Sequence, residues 1–295
     1  MIDQAHKLRS MVQAAAPAVD DRDVELPLVV VAGARAGVGA TTVALNLAAV
    51  LADQGERVLL VDGGLPRNEA NEIVGNRRGV EFGLGDVLNG RCEIREAIVS
   101  GPAGVRMLIN RGNDRANADF SRIAQERLFN EFESVGDSFD FIVMDTGRGL
   151  TSWSRPFWSR AKLVVLVATP DATSVLDAYA AIKQNAVDGD QSPLRMLMNQ
   201  TESDSAASDA QRSVEQACKQ YLGRSVPALP ALPRHLANDF VAIDAAPRVW
   251  ESPNTAFGHA ALWLGRSVSE LLAIRTRQTI SDSRGEFSRI MAGAV

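Results

Sequence analysis

The residues best suited to chemistry lie in a glycine-rich segment, VAGARAGVGATTVALNLA, at positions 31–48. An apolar, strand-like run precedes it and a helix-like run follows. Glycines let backbone N–H groups surround phosphate oxygens, and the start of a helix adds a favourable dipole. The segment therefore predicts a phosphate-binding loop, although a tight strand–helix turn with no ligand is the alternative. The candidate binding residues are Arg35, Gly37, Val38, Gly39, Ala40, Thr41 and Thr42.

Two acidic residues follow later apolar runs and extend this hypothesis. Asp62 ends RVLLVDG, and Asp145 follows FIVM. Either one alone is compatible with a helix cap at a strand end. Together with the hydroxyl of Thr41, which stands where such loops place a Mg²⁺ ligand, they predict a magnesium site formed by Thr41, Asp62 and Asp145.

Alternating apolar runs predict the fold that must position these groups. The chain has 295 residues, 46% of them hydrophobic, which suits a globular protein with a core. Continuous Val-, Ile-, Leu- and Met-rich runs indicate strands buried on both faces of a parallel sheet. The clearest helices between them are predicted at 41–54 and 173–187. This pattern predicts a doubly wound, mostly parallel α/β domain flanked by helices, with ligands at the carboxyl ends of the strands. The strand candidates are 28–33, 57–63, 105–110, 139–147, 162–170 and 195–200.

The loop and its carboxylates resemble the ParA/MinD family of deviant P-loop ATPases. The family loop is KGGVGKT, and this chain has RAGVGAT at 35–41. Arg35 matches the signature lysine that crosses to the nucleotide of a dimer partner, whereas Ala40 replaces the ordinary P-loop lysine. Asp62 matches the first Asp of the family's Asp-x-Asp switch, and Gly64 replaces the second, which orients the attacking water. The resemblance implies ATP or ADP and Mg²⁺ as cofactors, and Asn199, at the end of RMLMNQ, as a contact to the base.

Within that family, three segments resemble flagellar regulators of the FlhG type. They are DQAHKLR at 3–9, DTGRG at 145–149 and TPDATSVLDAYAAIK at 169–183. The resemblance implies a partner-binding helix that engages an FlhF-like, signal-recognition-type GTPase. It also implies a homodimer as an option. The partner-binding candidates are Asp3, Gln4, Leu8 and Arg9.

The departures at Ala40 and Gly64 predict weak or absent ATP hydrolysis, so no catalytic residue is assigned. Losing a charge-assisted hydrogen bond costs about 1.5–3 kcal/mol, or one to two decades of affinity. An active ATPase with a rearranged loop remains an alternative. So does a nucleotide-free scaffold for pilus (TadZ/CpaE-like) or cellulose (BcsQ/YhjQ-like) machinery, because GVGATT is similar to those loops.

The chain is predicted to have four parts: a partner-binding helix (1–13), a linker (14–26), the P-loop domain (27–276) and a tail (277–295). The net charge of -5 argues against direct DNA binding. No apolar run approaches the roughly 20 residues of a membrane span. We therefore expect a cytoplasmic protein, with weak peripheral membrane association through the tail as an option.

Overall fold

A computed structural model describes residues 26–64, 81–110, 120–187, 192–234 and 254–273. Strands in these stretches form one seven-stranded sheet in the order β3-β4-β2-β5-β1-β6-β7. The short strand β3 pairs antiparallel with β4, and the other neighbours are parallel. In chain order the strands are β1 (Leu28–Gly33), β2 (Val58–Asp62), β3 (Ile98–Ser100), β4 (Arg106–Leu108), β5 (Phe141–Arg148), β6 (Leu163–Ala168) and β7 (Leu194–Met198).

Helices cover both faces of this sheet. They are α1 (Ala40–Asp53), α2 (Leu84–Leu88), α3 (Ile94–Ala97), α4 (Arg122–Val135), α5 (Arg155–Arg160), α6 (Ala172–Val187), α7 (Asp204–Leu222) and α8 (residues 256–273).

Side-chain alternation along the strands explains why both faces are covered. In β1, Val29 and Val31 join a core cluster with α1 and α8, whereas Leu28 and Val30 join a second cluster with the helices of the opposite face. Successive side chains of a strand point to opposite faces, so a strand that is apolar throughout needs a layer on each side. Every residue of β1 is buried.

Helix α1 is enclosed as well, and this fixes the loop that precedes it. Most of its residues are buried. On its outer side it packs closely against α8, where a Cβ added to Gly265 would lie 2.3 Å from Cγ1 of Val50. A helix held between the sheet and a second helix gives the loop before it a rigid support.

The predicted α/β fold is confirmed, and the six predicted strands and both predicted helices are present. The sequence-based prediction missed β3, because three residues are too few to show a periodic pattern. Strand β5 ends at Arg148, one residue beyond the end of the predicted strand 139–147. Leu26, the last residue of the predicted linker, is buried in the core.

Residues 227–234, PALPALPR, follow α7 and run along the β7 edge of the sheet; they are here called the Pro-punctuated segment. Isolated parallel bridges join Met196 to Ala228 and Thr201 to Pro233. The backbone N–H of Arg234 donates to the carbonyl of Thr201 at 2.8 Å. This segment therefore lies beside the carboxyl end of β7, close to the loop that follows β1.

Candidate nucleotide site

The loop between β1 and α1 has the backbone of an anion cradle. Gly37 and Gly39 both have φ of +84°, in the left-handed region that side chains rarely adopt. Gly39 is the N-cap of α1, has no side-chain cap, and is followed by no acidic residue in the first turn. The first N–H groups and the positive end of the helix dipole are thus directed at the loop interior, which favours a phosphate.

Thr41 and Asp145 meet beneath this loop. The Thr41 hydroxyl donates a 2.6 Å hydrogen bond to Oδ2 of Asp145. The other carboxylate oxygen of Asp145 accepts from the backbone N–H of Gly147 at 2.9 Å. These two bonds fix the Asp145 carboxylate beside the first turn of α1.

Asp62 lies next to Asp145 in the sheet. The two residues are register partners on the neighbouring parallel strands β2 and β5, and each is 1% exposed. One hydroxyl and two carboxylates form the oxygen donor set that Mg²⁺ prefers. The described residues contain no group of three or more His, Cys, Asp or Glu that could hold a metal by themselves. A Mg²⁺ ion here would therefore be shared between these residues, a phosphate and water.

Ala40 occupies an apolar position. It is 9% exposed and belongs to the core cluster on the α1 face of the sheet. A Cβ added to Gly33 would lie 3.4 Å from the Cβ of Ala40. The first residue of α1 therefore brings no charge or hydrogen-bond donor from its side chain to the loop.

Arg35 pairs with two carboxylates at the start of α6. Its guanidinium lies 3.8 Å from a carboxylate oxygen of Asp171 and 3.8 Å from one of Asp177, and its side chain is 42% exposed. The Thr169 hydroxyl and the Ser174 N–H lower the pKa of Asp171, and Arg35 lowers it further. The position of the family's signature lysine is thus occupied by a cation that pairs with the start of α6.

The end of β2 is held by a tryptophan that the sequence did not single out. The indole Nε1–H of Trp153 donates to the carbonyl of Gly63 at 3.0 Å. Trp153 is largely buried and meets the ring of Phe157 edge-on. The contact joins residues 90 positions apart, and no local pattern announces it.

Gly64 lies against the same carboxylate as Thr41. A Cβ added there would be 3.4 Å from Oδ2 of Asp145. A side chain at this position would therefore reach the predicted metal site, and glycine leaves it without a second switch carboxylate.

Asn199 directly follows β7, and its side chain contacts the loop. It is 6% exposed, and its Nδ2 donates to the carbonyl of Val38 at 2.8 Å. Gln200 makes a parallel contact from Nε2 to the carbonyl of Gly37 at 3.0 Å. The base contact of Asn199 stays a prediction, and the sequence did not identify Gln200.

A cleft of about 460 Å³ opens beside the loop, between the carboxyl ends of β6 and β7. Arg35 and Gly37 line it on the loop side, and Gln200, Glu202 and Arg234 line it on the β7 side. Arg234 thus brings the end of the Pro-punctuated segment into the lining of the cleft beside the loop.

Several predicted groups fall elsewhere. Two arginines near predicted strand ends, Arg67 and Arg148, could lend compensating charge to the loop, and Arg148 is exposed at the end of β5. Arg67, the predicted tail and the partner-binding candidates Asp3, Gln4, Leu8 and Arg9 lie outside the described residues. In the described stretches, no helix combines the length and apolar character needed to cross a bilayer.

Solved structures confirm the fold. The MinD cell division ATPase of Pyrococcus furiosus superposes with a TM-score of 0.67 at 24% identity, covering 83% of this chain and 98% of that one. MinD of Pyrococcus horikoshii complexed with Mg-ADP gives a TM-score of 0.66 at 23% identity, covering 84% and 97%.

Sequence relatives point in the same direction. The antiactivator FleN of Pseudomonas aeruginosa is 34% identical over 176 residues, covering 60% of this chain and 62% of FleN. The flagellum site-determining protein YlxH of Helicobacter pylori is 26% identical over 192 residues, covering 65% of each. The chain thus aligns with less than two thirds of the length of either relative.

A family model described as an AAA domain matches residues 27–178, which is more than half of the chain and includes the loop, Asp62 and Asp145. With the FleN and YlxH relatives and the MinD-like fold, this match shows that the chain belongs to the ParA/MinD family of P-loop ATPases and stands close to its FlhG-type flagellar regulators.

Proposed function

We propose that this chain is a nucleotide-binding regulator that controls the placement or number of flagella or of another cell-envelope machine, with weak or absent ATP hydrolysis. The 2.6 Å contact between Thr41 and Asp145 carries the nucleotide part of the proposal. It joins the first turn of α1 to the strand that bears the second carboxylate, and it needs no lysine. The similarity to FleN and YlxH supports the regulatory part.

The described residues would supply the groups that bind a Mg-nucleotide. The N–H groups of the loop and of the first turn of α1 would bind the phosphates. Thr41, Asp62 and Asp145 would hold Mg²⁺, which neutralises phosphate charge when bound. The cleft beside Gln200 and the Pro-punctuated segment leaves room for the rest of the nucleotide.

At two described positions, the site lacks a group that phosphoryl transfer uses. Catalysis of this reaction depends on positioning and on neutralising charge on the transferred group. Ala40 supplies no charge to the outer phosphates, and Gly64 has no side chain to orient water. The site therefore favours a bound state over a hydrolytic cycle.

Titration with a fluorescent ATP analogue tests the nucleotide part. We expect saturable binding in the micromolar range with Mg²⁺, weakened when EDTA replaces Mg²⁺. Absence of saturable binding up to high micromolar concentrations would contradict the proposal.

The partner part assigns the N-terminal helix to an FlhF-like GTPase. An amphipathic helix on a lead suits binding in an apolar groove, and residues 2, 5, 8 and 12 give this segment one apolar stripe. A pulldown should recover the GTPase with the full chain and lose it when residues 1–13 are removed. A Gln4→Ala/Leu8→Ala variant controls for deletion artefacts, and equal recovery by all three proteins would refute this assignment.

A further inference from the structure

We propose that Asn199 and Gln200 are positioning residues that hold the phosphate loop in its binding conformation, here called the amide clamp. This inference rests on the proposed nucleotide function. Both side-chain amides donate to loop carbonyls, Asn199 to Val38 at 2.8 Å and Gln200 to Gly37 at 3.0 Å. The donors come from the end of β7, more than 160 residues away in sequence.

The geometry of the peptide bond turns these contacts into a way of aiming the loop. In a planar trans peptide, the carbonyl and the N–H point in opposite directions. The Gly37 carbonyl shares its peptide plane with the N–H of Val38, and the Val38 carbonyl shares its plane with the N–H of Gly39. The two amides at the end of β7 hold both carbonyls toward β7. The N–H groups of the same peptide planes therefore point away from β7. An anion cradle requires such converging N–H groups.

Backbone strain and a close contact accompany the clamp. Gln200 has φ of +56°, an unfavourable conformation for a residue with a side chain. A Cβ added to Gly39 would lie 2.5 Å from Nδ2 of Asn199, so only glycine admits the amide at this distance. Strained residues persist where the surrounding structure imposes their conformation.

The clamp is mounted on rigid backbone. The N–H of Asn199 donates to the carbonyl of Ala168 in β6 at 2.8 Å. The N–H of Thr201 donates to the carbonyl of Leu232 at 3.1 Å. The two amides are therefore fixed from both sides, which positions them better than a free loop would.

The amide clamp is more important in this loop than in one with a P-loop lysine. The side chain of Ala40 has no hydrogen-bond donor, and Arg35 pairs with acidic residues at the start of α6. Neutral amides from β7 shape the cradle without adding charge to it. We therefore expect the clamp to govern how well the loop binds a chain of phosphates, whatever base is attached.

Binding of two probes separates this role from base recognition. Asn199→Leu and Gln200→Met roughly keep side-chain shape and remove the donors. Gln211→Met is the matched control, since that amide donates to the carbonyl of Val226 at 2.9 Å, outside the loop. The probes are a fluorescent ATP analogue with Mg²⁺ and inorganic tripolyphosphate as its competitor.

Each clamp variant should bind both probes about twofold to tenfold more weakly, which corresponds to the loss of one hydrogen bond. The Gln211→Met control should leave both affinities unchanged. A loss confined to the ATP analogue in Asn199→Leu would make Asn199 a base contact and overturn the clamp. Unchanged binding in both clamp variants would overturn it as well.

Amide hydrogen exchange of the ligand-free protein gives a readout that needs no nucleotide. The peptide spanning residues 34–42 should exchange several-fold faster in both clamp variants, with the same unfolding midpoint as wild type. If wild type binds neither probe, the proposed function fails and exchange alone decides: faster loop exchange supports the clamp, and unchanged exchange refutes it.

Discussion

The loop after β1 and the end of β2 lie on either side of β5 at the carboxyl end of the sheet, and they differ in which functional groups they retain. The loop keeps left-handed glycines, an open helix N-terminus and Thr41 bonded to Asp145. The end of β2 keeps Asp62, but glycines follow it, and its backbone is held by Trp153. Groups that would bind a Mg-nucleotide are therefore present in the first region, whereas the described part of the second, which ends at Gly64, has no further carboxylate after Asp62 to activate water.

This contrast follows from what each task requires. Phosphate binding depends largely on backbone N–H groups and on the dipole of a helix, which survive changes of side chain. Orienting water needs one particular side chain, and a single substitution removes it. A loss of turnover with retained binding is therefore the expected direction of divergence.

The largest expected effect comes from Asp145→Asn, which tests whether the loop region binds a Mg-nucleotide. The change keeps the shape of the side chain and removes its charge next to Thr41. We expect ATP affinity in Mg²⁺ to fall by up to two decades, toward the value in EDTA. Titration of the fluorescent analogue with Mg²⁺ and with EDTA measures this.

Thr41→Val is the matched variant, because it removes only the hydroxyl. It should lose part of the Mg²⁺ dependence, while circular dichroism confirms that both variants are folded. If Asp145→Asn retains the full Mg²⁺ dependence, the metal site assigned here is wrong.

Ala40→Lys should sharpen the contrast by restoring charge to the loop. We expect a gain in ATP affinity of about tenfold, the lower end of a charge-assisted hydrogen bond, because the new side chain must leave an apolar position. Hydrolysis should remain near background, since Gly64 is unchanged.

Adding Gly64→Asp to Ala40→Lys tests whether the two regions cooperate. A Cβ at position 64 makes ordinary contact with Asp145 at 3.4 Å, so the side chain can be accommodated. Phosphate release above that of either single variant is expected. Turnover by Ala40→Lys alone would break the contrast, because the end of β2 would then not limit the reaction.

The main features of the site could be predicted from sequence, and the contacts that shape it could not. Asp62 and Asp145 both follow apolar runs, and parallel strands bring such positions to one edge. The contacts of Trp153 and Gln200 depend on tertiary packing between distant segments, which leaves no local periodicity. Arg35 illustrates the same limit: its position in the loop was evident, but its partners on α6 depend on how that helix packs.

Trp153→Phe should have a smaller effect, confined to the end of β2. The substitution keeps an aromatic ring and removes the indole N–H that binds the Gly63 carbonyl. A buried acceptor left without its donor costs about 1–3 kcal/mol, to be measured by urea unfolding. Trp263→Phe is the matched control, since Trp263 is 65% exposed. A similar loss in both variants would mean that the hydrogen bond contributes little.

The smallest expected effect concerns Arg35 and asks whether the loop can reach a second subunit. Asp171 and Asp177 hold Arg35 in its own chain through exposed ion pairs, each of which contributes less than about 1 kcal/mol. Asp171→Asn/Asp177→Asn should free the guanidinium and raise ATP-dependent dimerisation by about twofold to fivefold in analytical ultracentrifugation.

Matched variants and pH separate this effect from a general change of surface charge. Asp204→Asn/Asp209→Asn removes two exposed acids from α7 and should leave dimerisation unchanged. Because the Thr169 hydroxyl, the Ser174 N–H and Arg35 keep the pKa of Asp171 below its usual value, Asp171 stays charged at neutral pH, and the result should be the same at pH 6 and pH 8. If Arg35→Ala dimerises as well as the acid-to-amide variant, Arg35 has no role across the interface, and the loop serves binding within one chain.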